Sequence, residues 1–288
     1  MVFEIRYETL KESFNKTTCK TAGLQVEAQL KPCFSGNCRT DLTDVTFLAP
    51  LRIDSPERKE NINTLINFTF QNFKTSFIVL EADATQKYFP ENEHEGFLYK
   101  FIEDTNEIFH RTKWINRLIS MATSPYLAVW DADAISPPEQ VVEAVKVLRE
   151  GEAVMSFPYD GRFYSTDKVS CDLFKRILDI EILIIRVPVM HLMHGYHSVG
   201  GAFIVNKEKY LKIGGENEKF YGWGPEDTER VKRLEILDLP IYYSPGVLFH
   251  LYHPMYKNSW FANEEIEQQN RRTLQKVCKL QSTKSQSE

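Results

Sequence analysis

Two short acidic motifs are the part of this sequence best suited to chemistry. Asp131 and Asp133 stand one residue apart, directly after the apolar run YLAVW. Glu226 and Asp227 are adjacent and follow Trp223, which is flanked by glycines. Carboxylate oxygens bind hard divalent cations, and a carboxylate can also accept a proton from a hydroxyl group. Together the two motifs predict group transfer from a metal-bound, nucleotide-activated donor.

Each motif also has a simpler interpretation. Asp-x-Asp is common in solvated turns, and the helix dipole favours acidic residues in the first turn of any helix. However, a strand as apolar as YLAVW is expected to be buried, so carboxylates at its end need a partner, and a divalent cation is one. Residues i and i+2 of an extended chain point the same way, which lets Asp131 and Asp133 converge on one ion or its phosphates.

His250 and His253 are further candidates for metal ligation, although one core and one surface histidine would be the simpler interpretation. Three residues apart on a strand, they would point to opposite faces, so both bind one ion only if the chain turns between them. Pro254 indicates that the strand ends here, which favours His253. Three other histidines have a metal-like spacing and are interpreted as structural or acceptor-side residues: His191, His194 and His197.

The hydrophobic pattern that must position these residues alternates short strands with helices. Strands are predicted at 45–49, 77–80, 126–130, 154–157, 202–205, 241–243 and 247–249. Helices are predicted to begin at the caps Ser55 and Ser136, each followed by proline. Further helices are predicted over 101–123, 170–185 and 225–237. This alternation is typical of an α/β fold, in which helices cover both faces of a mostly parallel sheet.

Ligands of such sheets bind beyond the carboxyl ends of the strands. Pro50, Arg52 and Glu81 stand at two of these ends, and the aspartate pair stands at a third. We therefore expect these side chains at one edge of the sheet. The sequence has no Rossmann or Walker glycine loop, which argues against dehydrogenases and P-loop NTPases.

The length fits one large α/β domain or two small ones, and the composition is that of a soluble protein. The 288 residues carry a net charge of −5, which argues against a nucleic-acid partner. We expect an extension of uncertain structure over 1–40, a main domain over 41–275 and a mobile polar tail over 276–288. The start has no apolar run, so we expect no transmembrane segment and a cytoplasmic protein, with peripheral attachment at the inner face of the membrane as the alternative. The five cysteines are expected to be free thiols.

The glycine-rich run from Gly200 to Asp227 resembles the β-1,4-galactosyltransferase family. The segment PGVLFHLYH, which ends at His253, is similar to the related chondroitin N-acetylgalactosaminyltransferases. Phe109 to Lys113, followed by the DxD motif at Asp131, matches the family's order. The resemblance covers roughly 45–275. It implies a GT-A fold, a nucleotide-sugar-binding, Rossmann-like architecture, and inverting, Mn²⁺-dependent transfer from a UDP-sugar, with Mg²⁺ as an alternative ion.

The same resemblance implies roles for single residues. Asp133 and His253 would ligate the metal, with His250 where the family has another ligand. Asp227 would be the general base, and Glu226 would hold the acceptor. The residues expected to bind the donor are Pro50, Arg52, Glu81, Phe109, Arg111, Asp131, Ser198, Gly201 and Trp223. The loop 255–262 is predicted to close over the site.

Three positions depart from the family pattern. Asp54 stands where the family has a second arginine for the diphosphate, and Pro225 stands where glycine is usual. Ser198 replaces the bulky tyrosine of galactose-specific members, which leaves room for an N-acetyl group. We therefore expect transfer of galactose or N-acetylgalactosamine to a carbohydrate, free or lipid-linked, in surface polysaccharide synthesis.

Two alternatives belong to other classes. A non-catalytic nucleotide-sugar-binding or scaffold subunit would keep the fold but is expected to lose the base or a metal ligand. A nucleotidyltransferase would need a glycine-rich, basic loop after the first strand, and PLRIDSPER does not provide one.

Overall fold

The computed structural model describes residues 39–193, 195, 197–254 and 263–284, with side chains of the last helix described as far as Lys279. These residues belong to one compact unit. Nearly all of the predicted extension over 1–40 lies outside the described residues, as do the predicted loop 255–262, His194 and three of the five cysteines (Cys19, Cys33 and Cys38). Cys171 and Cys278 are free thiols.

The described strands are β1 (Thr40–Leu51), β2 (Phe73–Asp83), β3 (Phe97–Glu103), β4 (Tyr126–Trp130), β5 (Ala134–Ile135), β6 (Met155–Phe157), β7 (Arg162–Ser165), β8 (His191–Leu192), β9 (Ala202–Asn206), β10 (Ile241–Tyr243) and β11 (Val247–His250). The described α-helices are α1 (Pro56–Asn72), α2 (Arg111–Met121), α3 (Pro138–Arg149), α4 (Lys168–Ile177), α5 (Glu181–Ile184), α6 (Lys207–Lys212), α7 (Glu226–Ile236) and α8 (Glu264–Lys284). None of these helices combines the length and the apolar character that crossing a membrane would require.

The main sheet has seven strands in the order β10-β6-β9-β4-β1-β2-β3. β1 pairs in parallel with β2 and β4, and β2 pairs in parallel with β3. β9 runs antiparallel to both β4 and β6. The expectation of a mostly parallel α/β sheet is confirmed. The carboxyl ends of β1, β2 and β4 lie at one edge.

A second sheet, β5-β11-β7-β8, lies beside that edge. β5 begins directly after the aspartate pair, and β11 ends at His250. β5 and β11 pair antiparallel, with His250 opposite Ala134. This pairing places the end of β11 next to the DxD motif.

The core is built where β1, β2 and β4 meet the helices. Phe47 stacks on Phe73 and Phe77 and lies 5.3 Å from Trp130, centroid to centroid. All four side chains are buried. Strands buried on both faces read as continuous apolar runs, which is why VTFLA, FIVL and YLAVW were recognisable in the sequence.

Two local predictions were wrong. The segment 101–123 was predicted as one helix, but β3 occupies Phe97–Glu103 and α2 begins only at Arg111. β3 is an edge strand whose residues are only partly buried or exposed, so the apolar run that marks the central strands is missing. Ser136 does not cap α3: the helix begins at Pro138, and the Ser136 hydroxyl donates to the carbonyl oxygen of Pro158 at 3.0 Å. Within the predicted tail over 276–288, the described residues as far as Lys284 belong to α8, and the predicted mobility stays a prediction.

Ser55 does cap α1, as predicted. Its hydroxyl oxygen accepts a hydrogen bond from the backbone amide of Arg58 at 3.1 Å, and Pro56 occupies the first turn. An N-cap side chain satisfies one of the amides that the first helical turn leaves without an intrahelical partner.

We expect Ser55→Ala to reduce the free energy of unfolding by about 1 kcal/mol, because the amide of Arg58 loses its acceptor. For a domain of this size the melting temperature should fall by about 2–4 °C, as measured by differential scanning calorimetry. Ser120→Ala, at an exposed position in α2, is the matched control and should not lower it. An unchanged Ser55→Ala variant would contradict the capping assignment.

Candidate active site

A cleft of about 890 Å³ lies at the carboxyl ends of β1 and β4 and is lined by both acidic motifs. Thirteen of the fourteen predicted site residues line it: Pro50, Arg52, Phe109, Arg111, Asp131, Asp133, Ser198, Gly201, Trp223, Glu226, Asp227, His250 and His253. The motifs that are about ninety residues apart in the sequence therefore face one shared space.

Glu81 is the exception among the predicted donor-binding residues. Its side chain is fully buried and accepts hydrogen bonds from the Tyr99 hydroxyl and from the backbone amides of Lys87 and Tyr88. The Glu81 carboxylate thus links strand β3 to the segment that follows β2. Glu81 does not line the cleft, because the carboxyl end of β2 turns into this local network, and its contact with the donor stays a prediction.

Asp133, His250 and His253 form a candidate metal centre. Their ligand atoms all lie within 4.8 Å of one another. Nε2 of His253 is 3.2 Å from Oδ2 of Asp133, and Nε2 of His250 is 3.6 Å from Oδ1. β11 ends at His250, so the chain turns before His253 and both imidazoles reach the same carboxylate. Both histidines therefore join the site.

The local contacts prepare these groups to bind a cation. Nδ1 of His253 lies 2.8 Å from the carbonyl oxygen of Pro254, which leaves Nε2 directed at Asp133. A hydrogen bond of this kind commonly fixes the tautomer of a metal-binding histidine. Burial alone would raise the pKa of Asp133, but His250, His253 and Arg58 hold it well below its ordinary value. The carboxylate is therefore available as an ionised ligand at neutral pH.

The donor set fits a divalent transition metal. Two imidazole nitrogens and one carboxylate oxygen suit Mn²⁺ better than Mg²⁺, which strongly prefers oxygen ligands. Asp131 does not belong to this set. Its Oδ1 accepts from Arg111 at 2.7 Å instead.

Asp227 lies in the first turn of α7 and is held by two arginines. Arg230 donates to its Oδ1 at 2.8 Å, and Arg111 approaches the same oxygen at 3.4 Å. Burial would raise the pKa of Asp227, but Arg111 and Arg230 lower it below its ordinary value. Asp227 is thus ionised at neutral pH and can accept a proton.

Arg230 is itself held in place by Glu216 and Phe203. The side chain is fully buried, makes two hydrogen bonds to Glu216 at 2.8 and 2.9 Å, and lies 3.9 Å from the ring centre of Phe203. The sequence analysis missed this residue, although the spacing of three between Asp227 and Arg230 on one helix was a usable signal.

Glu226 has a different environment from its neighbour. It is buried, and its Oε2 has no hydrogen-bond partner among the described residues. Burial, together with the charge of Asp227, raises the pKa of Glu226 to about 8. Glu226 is therefore largely protonated at neutral pH and can exchange hydrogen bonds with a hydroxyl-bearing ligand.

Arg111 connects the two motifs. Its guanidinium group donates to Asp131 at 2.7 Å and approaches Asp227 at 3.4 Å and Glu226 at 3.8 Å. One side chain therefore links the end of β4 to the start of α7.

Two glycines allow close approaches at the cleft. A Cβ atom at Gly200 would lie 2.8 Å from Oδ2 of Asp227, and one at Gly224 would lie 2.5 Å from Nδ2 of Asn270. Asn270, on α8, is buried and bonds to both backbone groups of Tyr221. The run around Trp223 is thus anchored to α8, a contact that the sequence analysis did not predict.

Arg52, His191 and His197 are not part of the metal group. Arg52 donates to backbone carbonyls of Ala82 and Asn106, each at 2.8 Å, so it holds the segment that leads to Phe109. His197 lines the cleft, whereas His191 is exposed on β8. Neither belongs to the metal group.

Part of this chain is similar in sequence to known galactosyltransferases. Residues 181–254 match the family model described as the N-terminal domain of galactosyltransferase. The β-1,4-galactosyltransferases 7 of mouse and human are each 29% identical to this chain over 77 residues. The matched segment covers 24% of this chain and 24% of each relative. The chain thus matches about a quarter of the length of these curated relatives. The predicted resemblance to the galactosyltransferase family is confirmed for this segment.

A solved structure extends the likeness to most of the chain. Drosophila β-1,4-galactosyltransferase 7, as a mutant in complex with manganese, UDP-Gal and xylobiose, superimposes with a TM-score of 0.50 at 15% identity. The match covers 80% of this chain and 79% of that one. The fold is the GT-A fold. The GT-A fold predicted from the sequence is therefore confirmed.

We expect Glu226→Gln to raise the melting temperature more at pH 8 than at pH 5. The raised pKa means that the parent protein loses stability as the pH rises from about 4.5 towards about 8. Glutamine does not titrate, so the difference between variant and parent should grow to several degrees over this range, as measured by thermal unfolding. The exposed substitution Glu152→Gln is the control. A difference that stays constant with pH would contradict a protonated Glu226.

Proposed function

We propose that this protein is an inverting, metal-dependent glycosyltransferase that moves galactose or N-acetylgalactosamine from a UDP-sugar to a sugar hydroxyl. The observation that carries the proposal is the shared cleft, in which Arg111 joins the DxD motif to the acidic start of α7. A metal-binding cluster and an ionised carboxylate therefore face the same substrate volume.

Different residues of the cleft would hold the metal and accept the proton. Asp133, His250 and His253 would hold Mn²⁺, which supplies charge compensation for the departing diphosphate. Manganese and UDP-Gal are bound together in the Drosophila galactosyltransferase that has a similar fold. Phe109 and Pro50 also line the cleft, and the apolar ring of Phe109 suits contact with a uracil base.

Asp227 suits the role of general base. The acceptor hydroxyl oxygen forms a bond to the anomeric carbon while the bond from that carbon to the diphosphate oxygen breaks. The electron pair leaves with UDP, and the hydroxyl proton passes to Asp227. Arg230 and Arg111 keep Asp227 ionised and oriented until the proton arrives, and Glu226 beside it can bind another hydroxyl of the acceptor.

The choice of donor sugar rests on Ser198. This residue lines the cleft and is fixed by a backbone hydrogen bond from its amide to the carbonyl oxygen of Gly161 at 2.9 Å. Its small side chain leaves space that an N-acetyl group can fill. A role in surface polysaccharide synthesis, a lipid-linked acceptor and a cytoplasmic location remain predictions from the sequence.

A non-catalytic scaffold subunit is less well supported. Such a protein has no need to keep an ionised Asp227 and a complete metal cluster in one cleft. Both are present here, which favours an enzyme.

The decisive experiment is to incubate the protein with UDP-Gal, UDP-GalNAc, UDP-glucose and GDP-mannose and to measure nucleotide release. We expect slow release of UDP from UDP-Gal or UDP-GalNAc with Mn²⁺, faster when a suitable acceptor is added, and none after chelation with EDTA. A faster reaction with GDP-mannose would contradict the assigned donor class. Inertness towards every donor, with binding retained, would favour the scaffold alternative.

We expect Asp227→Asn to lower the turnover number at least ~100-fold, because the acceptor hydroxyl loses its proton acceptor. Affinity for UDP with Mn²⁺ should change little, since asparagine has nearly the same shape. Steady-state kinetics and isothermal titration calorimetry measure the two quantities, and Asp238→Asn, just after α7, serves as the control. Undiminished turnover in Asp227→Asn would remove this residue from the role of base.

A further inference from the structure

Arg58 occupies a position at the metal cluster that the sequence analysis did not anticipate. It lies in the first turn of α1 and lines the cleft. One guanidinium nitrogen donates to Oδ2 of Asp133 at 2.8 Å, and another lies 3.3 Å from Nε2 of His253. The guanidinium group thus contacts two of the three candidate metal ligands.

The contact is directed at the atoms that a metal would use. Oδ2 of Asp133 is also the oxygen that lies 3.2 Å from Nε2 of His253. A cation bound between these two atoms needs the same lone pairs that now face Arg58. Because a guanidinium group stays charged at any ordinary pH, Arg58 and a divalent cation compete for Asp133.

Asp54 holds Arg58 in this orientation. Its Oδ1 accepts from Nε of Arg58 at 2.8 Å, so the two terminal nitrogens point towards the cleft. Asp54 stands at the position where the resemblance led us to expect a second arginine for the diphosphate. The cleft therefore keeps a positive charge near this position, but it comes from the helix one turn further along the chain.

We propose that the Arg58 guanidinium group pairs with Asp133 until a divalent cation binds there. Through this competition, Arg58 couples the binding of the divalent cation to that of the nucleoside diphosphate. A cation that binds alone must displace Arg58 from Asp133 and leaves two positive groups side by side. A diphosphate that arrives with the cation offers oxygens to both, so each ligand favours the other. The coupling is reciprocal because it is a property of the equilibrium.

The inference rests on the proposed function, since it uses the same metal cluster and donor class. The measured quantity is the coupling factor, defined as the affinity for Mn²⁺ with saturating UDP divided by the affinity for Mn²⁺ alone. Electron paramagnetic resonance of free Mn²⁺ measures both affinities without any turnover, and calorimetry with UDP measures the reverse coupling. We expect a factor of at least ~10 for the parent protein, within the usual range for coupled sites.

Arg58→Met keeps the aliphatic stem and removes the charge. We expect this variant to bind Mn²⁺ alone as tightly as the parent or more tightly, and to lose most of the coupling factor. Arg58→Lys keeps a charge and should retain part of the coupling. Arg149→Met removes an arginine that pairs with Asp44 near the amino end of β1, and it should behave as the parent.

Thermal unfolding of each variant shows whether the fold is retained, and Arg58→Lys provides the second test if Arg58→Met is unstable. An unchanged coupling factor in a folded Arg58→Met variant, or weaker binding of Mn²⁺ alone, would overturn the inference. A parent protein that binds Mn²⁺ and UDP without mutual effect would also overturn it, while nucleotide release could still uphold the proposed function. A parent that binds neither ligand and releases no nucleotide would remove both proposals.

Discussion

The cleft depends on the compensation of carboxylates that the fold has largely removed from water. Asp133 is balanced by Arg58 and two histidines, and Asp227 by Arg111 and Arg230. An unpaired charge in such a place would be costly, so these contacts stabilise the folded state. The arrangement also explains why adjacent carboxylates differ. Asp227 accepts a hydrogen bond from Arg230 at 2.8 Å and stays ionised, whereas Arg111 lies 3.8 Å from Glu226 and does not offset the burial that raises its pKa.

The same compensation gives the two ends of the cleft different chemistry. At one end, the imidazoles and Asp133 present ligand atoms towards a common point, which suits a metal-bound diphosphate. At the other end, an ionised carboxylate lies beside a protonated one, which suits the binding and deprotonation of a hydroxyl. Arg111 lies between them and contacts both acidic motifs. In the proposed reaction, different side chains would therefore offset the charge of the leaving group and accept the proton that the acceptor loses.

Side chains from other elements hold the irregular segments around the cleft in place. The glycine-rich run before α7 is anchored by Asn270 of α8. Glu216 and Phe203 hold Arg230 from the side away from the cleft. The chain beyond β11 is held by Asn61 of α1, whose amide approaches the carbonyl oxygens of Leu251 and Tyr252. Side chains from distant segments thus position residues that lie on short loops.

Most central strands, the cap Ser55 and the two acidic motifs could be recognised in the sequence, because apolar runs and capping residues act within a few positions of the chain. Which side chains meet depends on the tertiary structure. Arg58 pairs with Asp133 and His253 across 75 and 195 residues, His250 joins the cluster because β11 ends beside β5, and Glu81 turns into a local network. The physical reason is that the partner of a buried charge depends on how strands and helices pack, and that packing leaves no periodic signal in the sequence.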